Sequence, residues 1–426
     1  MCFDAEKYTN YLAILSEELI PALGCTEPAC LALAGAKLRA VLGAIPEHID
    51  LRMSGNLIKN TKSVTIPQSN GMYGIAAAVL LGVVGGDAGR GLEVLSSATE
   101  ADILQAKQLL ADDSLCHVEL LPTPAKLHLI IEGVAQGHRA LVEIMHVHTN
   151  IVRIEKDGQV LLDTGESAED CNESLTNRAC LNVRDILAIA DYVRLEDFEP
   201  ILRPQIECNT AIAKQGLTGD YGANVGRSLL RHFGPDVNNV ARAMAAAGSD
   251  ARMSGCQMPV IINSGSGNQG ITTSVPVIVY ARHYNLSDEK LLRALCVSNL
   301  IAIHQKTNVG RLSAYCGAVS AACGSGAAIT YMLGGDYEQV SHTITNTLAN
   351  VSGIICDGAK PSCAAKIASS VEAAIMAHTL ASESLTFKDG DGIVKSNVEA
   401  TIDGVRHIAS KGMRETDITV LNIVIQ

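Results

Sequence analysis

The sequence predicts an α+β protein, with a sheet-bearing domain early in the chain and a mostly helical domain after it. Three observations carry that expectation. Residues 46–170 hold several short segments that are β-branched or alternate in polarity, interrupted by two helical stretches. Residues 171–426 read as successive helices joined by glycine-rich links. Hydrophobic residues make up 47% of the 426, yet aromatics only 3%, with no Trp and 4 Phe. A core without large rings must be filled by Ala, Leu, Ile, Val and Gly, and such residues let helices approach closely. At about 150 residues per domain, two or three domains are expected. We divide the chain into N-terminal helices over 1–45 that pack on the C-terminal domain, an α+β domain over 46–170 and a helical domain over 171–426.

Each element has a local reason. Tyr8, Tyr11, Leu12, Leu15 and Leu19 share one helical face, and Pro21 and Gly24 end that helix. Pro28 suits the first turn of the next helix, PACLALAGAKLRAVLG, so residues 24–28 form a tight connection. Strands are expected at 57–66, 115–121, 127–133, 139–147 and 151–154, in one antiparallel sheet. Lys156-Asp157-Gly158-Gln159 is a hairpin signal. Helices are expected at 71–84 and at 98–110, the second with Ser97 and Glu100 spaced as a capping box. The polar stretch 165–180 reads as the linker. Beyond it, helices are expected near 182–193, 220–232, 237–248, 287–303, 313–333, 337–350, 364–384 and 395–411.

Composition excludes several roles. With 33 Lys+Arg against 45 Asp+Glu, the net charge is −12, and aromatics are scarce, so nucleic-acid binding is not expected. The charge-free stretches 312–335 and 255–281 are long enough to span a bilayer. Their Ser, Gly and Cys content, and NSGSGNQG in the second, instead point to buried core, so no membrane partner is expected. The start, MCFDAEKYTNY, lacks a basic segment followed by an apolar run, so a cytoplasmic location with free thiols is expected for the 13 Cys.

The strongest chemical pattern is Cys356-Asp357-Gly358-Ala359-Lys360-Pro361-Ser362-Cys363, with Cys316 lying 40 residues upstream. Thiolates are soft ligands for iron or zinc, and a turn lets two converge on one centre. Spacing alone does not decide for a metal, because with 13 Cys close pairs also arise by chance. Cys323 faces the side of Cys316 and reads as core within AACGSGAA. Cys25, ahead of a helix and beside Glu27, is either a thiol of lowered pKa that serves as base or nucleophile, or an ordinary half-buried thiol. Cys30 reads as core.

Gly265-Ser266-Gly267-Asn268-Gln269-Gly270 fits GxGxxG by letters. A dinucleotide site needs a following helix, and Pro276 is expected to break it within two turns. A loop of backbone N–H groups with Ser264, Ser266, Asn268 and Gln269 still suits a carboxylate or phosphate; a plain connector is the competing reading. Asn56 and Asn60, in SGNLIKN, offer amides to a small polar ligand, or simply form a turn before a strand. His304, Lys306, Asn308 and Arg311 form a polar cluster ahead of Cys316 that either binds an anion or ends a helix. His146 and His148 alternate on an expected strand and are read as core or surface.

Taken together, LGCTEPA, SGNLIKN with IP and NGMYGI, NSGSGNQG, and Cys316, Cys356 and Cys363 resemble the L-cysteine desulfidase family, the UPF0597 group. That family is related to the catalytic chain of iron–sulfur L-serine dehydratases, and the resemblance spans nearly the whole chain. It implies an oxygen-labile [4Fe-4S] lyase that splits L-cysteine into hydrogen sulfide, ammonia and pyruvate. By matched motif, Cys316, Cys356 and Cys363 would hold the cluster and Cys25 would be the catalytic thiol. The related dehydratases also carry a C-terminal Cys over the cluster; this chain ends LNIVIQ and has none there. Asn56, Asn60, Ser264, Ser266, Asn268 and Gln269 are the expected substrate-binding residues. The expected partner is a small amino acid, and a homo-oligomer stays open. L-serine as substrate, a pyridoxal-phosphate desulfhydrase and a non-enzymatic iron–sulfur sensor are the rival readings.

Overall fold

The computed structural model describes residues 4–169 and 176–425. Residues 170–175 of the expected linker, and Cys2 and Cys171, lie outside the described residues. The chain begins α1 (Ala5–Glu18), β1 (Pro21–Leu23), α2 (Thr26–Leu42), β2 (His48–Met53), α3 (Gly55–Thr61), α4 (Ile75–Gly85) and α5 (Glu100–Leu110). Five strands follow: β3 (Cys116–Leu120), β4 (His128–Ala135), β5 (His138–Met145), β6 (Ile151–Lys156) and β7 (Gln159–Asp163). Next come α6 (Val183–Tyr192), α7 (Leu195–Thr218), α8 (Val225–Phe233), α9 (Val237–Met253), β8 (Pro259–Ile261), α10 (Gly267–His283) and α11 (Asp288–Lys306). The chain finishes with α12 (Gly317–Met332), α13 (Tyr337–Val351), α14 (Cys363–Ser382), α15 (Val398–His407) and α16 (Arg414–Ile425). The fold is thus α+β, with a largely helical C-terminal region.

The main sheet has the order β3-β2-β4-β5-β6-β7. It is mixed rather than purely antiparallel, because β2 and β3 run parallel while the other neighbours are antiparallel. Helices α3 to α5 intervene between β2 and β3, and a parallel pair needs such a crossover. A separate antiparallel pair joins β1 to β8, with Pro21 opposite Ile261. That pair ties the connection before α2 to the glycine-rich loop after β8.

Two large cores form. Helices α2 and α4 cover the inward residues of β2, β4 and β5, such as Leu51, Ile131 and Val142. Helix α1 instead joins a core made by α6, α7 and α9 to α15. The first 45 residues therefore divide between the two cores. Small residues set the spacing in the sheet core: a Cβ on Gly82 of α4 would stand 2.1 Å from the Ala32 carbonyl oxygen of α2.

Several local expectations are corrected. Residues 57–61 are helical in α3 rather than extended, because Leu57 and Asn60 turn inward together; Thr65 only bridges to Tyr73. Helix α4 starts at Ile75, four residues late, because Gly71 and Gly74 take φ of 83° and 94°. The capping box of α5 is Thr99 with Asp102, not Ser97 with Glu100. Helix α10 runs straight through Pro276, and α7 holds Pro200 and Pro204. An internal Pro costs a helix about 3 kcal/mol. Burial of Val275, Val277 and Ile278 in α10, and of Phe198, Leu202 and Ile212 in α7, outweighs that cost. Helix α16 was also not anticipated. Among the described residues, no helix is long and apolar enough to cross a membrane. The 11 described cysteines are free thiols.

Candidate active site

A short backbone bridge brings two of the singled-out cysteines together. Tyr315 and Ile355 pair antiparallel; the Cys316 N–H donates to the Ile354 carbonyl (3.1 Å) and the Cys356 N–H to the Ala314 carbonyl (2.7 Å). Cys316 is the N-cap of α12. Its thiol donates to Cys356, which brings the Cys356 thiol down to about 6 against the cost of burial and leaves Cys316 well above the usual range. The positive charge of Lys59 further favours the Cys356 thiolate. Cys363 opens α14, its Sγ 3.6 Å from the Gly358 carbonyl, and burial raises its pKa. Gly358 has φ 105°, and a Cβ there would stand 2.6 Å from the Lys59 carbonyl oxygen, so the turn between the two cysteines needs glycine. Asp357 is held by Lys360 and Lys366.

Cys25 is the N-cap of α2, but its thiol does not cap the helix. Its Sγ donates to Glu27 Oε2 (3.0 Å), which also accepts from Thr26 Oγ1 (3.0 Å), while Asn60 Nδ2 donates to Glu27 Oε1 (2.8 Å). The expectation of a lowered Cys25 pKa is corrected. Burial, then the Glu27 charge, push it well above the ordinary thiol value, and these outweigh the nearby Arg252 and the Glu27 backbone N–H. Burial works to raise Glu27 as well, yet His148, the Cys25 hydrogen bond and Arg252 together hold its carboxyl below the usual value. His148 is itself pushed down to about 4 by burial, so near neutral pH Arg252 and the hydrogen bonds carry that effect.

The loop of 263–270 begins α10, with Ser266 as N-cap. A strand precedes it and a helix follows, but β8 pairs antiparallel with a three-residue strand rather than inside a parallel sheet. That arrangement is not a dinucleotide fold. The Thr26 hydroxyl donates to the Gly265 carbonyl (2.9 Å), which locks the loop against the start of α2.

Cys25, Asn60, Ser266, Asn268, Gln269, Cys316, Cys356 and Cys363 all line one cavity of about 90 Å³. Asn56 and Ser264 do not; they line a neighbouring cavity of about 590 Å³. Lys306 and Arg311 line both. Burial lowers Lys306 to about 8, partly offset by Cys356 and Cys316. Arg311 is engaged by Glu18 at 2.9 and 3.2 Å. His304 is turned away, onto Glu399 (2.7 Å). The shared strand face expected for His146 and His148 is absent. Strand β5 ends at Met145, His146 turns with φ 64° and bonds the Ser167 carbonyl, and His148 is buried against Gly265.

Three features went unnoticed in the sequence. Arg252 of α9 lines the cavity and is 2% exposed. Glu27 is the hydrogen-bond partner of Cys25 rather than a bystander. Asn60, Asn268 and Gln269 each keep a buried side-chain oxygen without a partner. An arginine amid the alanines of MAAAGSDARM was the available signal for the first.

The donor set suits soft iron. Three cysteines open on one enclosed space, and the Cys316 hydrogen bond, with Lys59 nearby, favours the thiolate of Cys356. Among the described residues, no three His, Cys, Asp or Glu side chains stand close enough to grip a single metal ion. A multi-iron cluster spreads its thiolates more widely than one ion does.

Comparison with known proteins follows the same motifs. The family model for the serine dehydratase alpha chain matches residues 89–422. A UPF0597 protein of Lachnoclostridium phytofermentans is 53% identical over 418 residues, covering 98% of this chain and 100% of that one. A UPF0597 protein of Treponema denticola is 49% identical over 431 residues, covering 100% of both. Another, from Desulfitobacterium hafniense, is 49% identical over 98% of this chain and 97% of its own. With the cysteine cavity, the family model and the full-length relatives in agreement, the chain belongs to the serine dehydratase alpha chain family, within its UPF0597 group.

Proposed function

We propose that this chain is an iron–sulfur-dependent lyase that removes the β-substituent of L-cysteine, yielding hydrogen sulfide, ammonia and pyruvate. The observation that supports it most is the meeting of Cys316, Cys356 and Cys363 with the Cys25–Glu27 pair in one buried cavity. The three cysteines would hold a [4Fe-4S] cluster, with Lys59 favouring the thiolate form of Cys356. Held by three protein thiolates, such a cluster would keep one iron without a protein ligand and would supply Lewis-acid chemistry for a departing sulfur.

The protein's own groups handle the proton. As Cys25 takes the proton from the substrate Cα, its own proton passes along the existing hydrogen bond to Glu27, so the raised Cys25 pKa never requires a free thiolate in the resting site. Asn60 keeps the Glu27 carboxylate aimed at Cys25. The burial of Cys25 and Glu27 keeps bulk water from competing for that proton. The resulting aminoacrylate tautomerises and hydrolyses without help.

The family description favours L-serine as an alternative substrate for the same machinery. The distinguishing experiment follows pyruvate release from both amino acids with anaerobically prepared protein. A larger kcat/KM for cysteine supports the proposal, and a larger value for serine replaces it with a dehydratase.

A further inference from the structure

We infer that Arg252 is the anchor for the substrate's α-carboxylate, with the unpartnered oxygens of Asn60, Asn268 and Gln269 facing its α-ammonium. The inference deepens the proposed function and rests on its placing the substrate in the cysteine cavity. Arg252 is buried, 2% exposed, and lines that cavity. Its Nε donates to the Gly24 carbonyl at 2.9 Å, the residue just before Cys25. Its Nη2 has no hydrogen-bond partner. A guanidinium carries its charge at all relevant pH and offers a planar fork that matches a carboxylate.

The nearest carboxylate does not satisfy it. Glu27 accepts from Cys25, Thr26 and Asn60 and makes no hydrogen bond to Arg252 Nη2. A buried donor on a charged group left without a partner is costly, and the cost is removed when a ligand supplies the acceptor missing at Nη2. Close packing fixes where the fork sits: a Cβ on Gly267 would stand 2.3 Å from Arg252 Nε. Gly267 is the first residue of α10, so the guanidinium lies against the loop that carries Asn268 and Gln269.

The same cavity has the opposite deficit as well. Asn60 Oδ1, Asn268 Oδ1 and Gln269 Oε1 are buried acceptors with nothing to accept. For Asn60 the orientation is fixed, because its Nδ2 must face the acceptor-only Glu27. An α-ammonium brings three donors and no acceptor. One unsatisfied guanidinium nitrogen and three unsatisfied acceptors in one space describe the two ends of a free amino acid. A peptide, an ester or a simple thiol lacks one end or the other.

The test is calorimetric binding to anaerobically purified protein, with L-alanine and L-alaninamide as probes. Both are small and have no leaving group, so the result does not depend on turnover. Wild type is expected to bind L-alanine about 10- to 100-fold more tightly than the amide, the range of a charge-assisted hydrogen-bonded pair. In Arg252→Gln that preference is expected to collapse to within about threefold, and Arg252→Lys should keep part of it. A general structural role would weaken both probes alike and leave their ratio unchanged. Equal binding of the two probes to wild type, or an intact preference in Arg252→Gln, overturns the inference. If Arg252→Gln fails to fold, the wild-type ratio and Arg252→Lys still decide. Absence of cysteine turnover with the preference intact would count against the proposed reaction and not against the anchor.

Discussion

At the residue scale, the proposed reaction divides between Cys25 and Glu27 a role that the family resemblance implied for Cys25 alone. Helix position suggested a lowered thiol pKa, but burial and the adjacent carboxylate win. Glu27→Gln should therefore leave iron content unchanged and lower kcat by about 10²- to 10⁴-fold, the usual weight of a proton acceptor. Cys25→Ala should behave the same way, whereas Cys356→Ala should lose the iron itself; inductively coupled plasma iron counts beside the pyruvate assay check all three. His148 gives a stability prediction. Its folded pKa is about 4 against 6.5 for an ordinary His, depressed by burial and by Arg311 and Arg252 despite Glu27 and Glu18. The unfolded chain then binds more protons between those values, so its contribution is full above pH 6.5 and is lost as pH falls toward 4. His148→Gln should flatten that part of the urea-midpoint profile by ~1–3 kcal/mol. Of the cavity residues, the cysteines and the loop amides were legible as motifs. Arg252 was not, because a single charge within an alanine-rich helix carries no signal until the fold shows it buried.

At the element scale, the site is held by ends and joints rather than by the middles of helices. Cys25 precedes α2, Cys316 precedes α12, Cys363 opens α14, and Ser266 precedes α10. Gly358→Ala tests one joint: positive φ and contact with the Lys59 carbonyl predict a loss of ~1–3 kcal/mol and reduced iron content. Melting temperature and iron analysis would show both, and an unchanged iron count would remove this turn from the account. Asp417 of α16 tests another. It pairs with Lys59 (2.9 Å) and Lys126 (3.2 Å), and the Lys59 side chain is 1% exposed. Asp417→Asn should cost about 3 kcal/mol in urea unfolding, because it strands a buried charge. Elements with strong periodicity, such as α1 and α6, were readable in the sequence. Helices α7 and α10 were hidden by their prolines, which tertiary burial overrides, and α3 was hidden by the β-branched residues that follow it.

At the scale of the whole molecule, the cavity lies where the sheet core and the helical core meet. Helix α2 belongs to the first and α12 to the second, and Cys25, Met253 and Cys363 pack together between them. Clefts between packed units are common ligand sites, because each side can supply groups the other lacks. The α+β class and the small-residue core followed from composition and texture. The parallel β2–β3 pair did not, because register and direction depend on contacts far apart in the chain. The net charge of −12 has no structural account. The central claim is that three cysteines hold a cluster that the Cys25–Glu27 pair serves. Anaerobic iron and acid-labile sulfide quantitation on wild type and Cys356→Ala, coupled to sulfide and pyruvate release from L-cysteine, tests it most directly. The account predicts about four iron and four sulfide per wild-type chain with turnover, and loss of both in the variant. Turnover by iron-free wild type, or full iron and activity in Cys356→Ala, would contradict it.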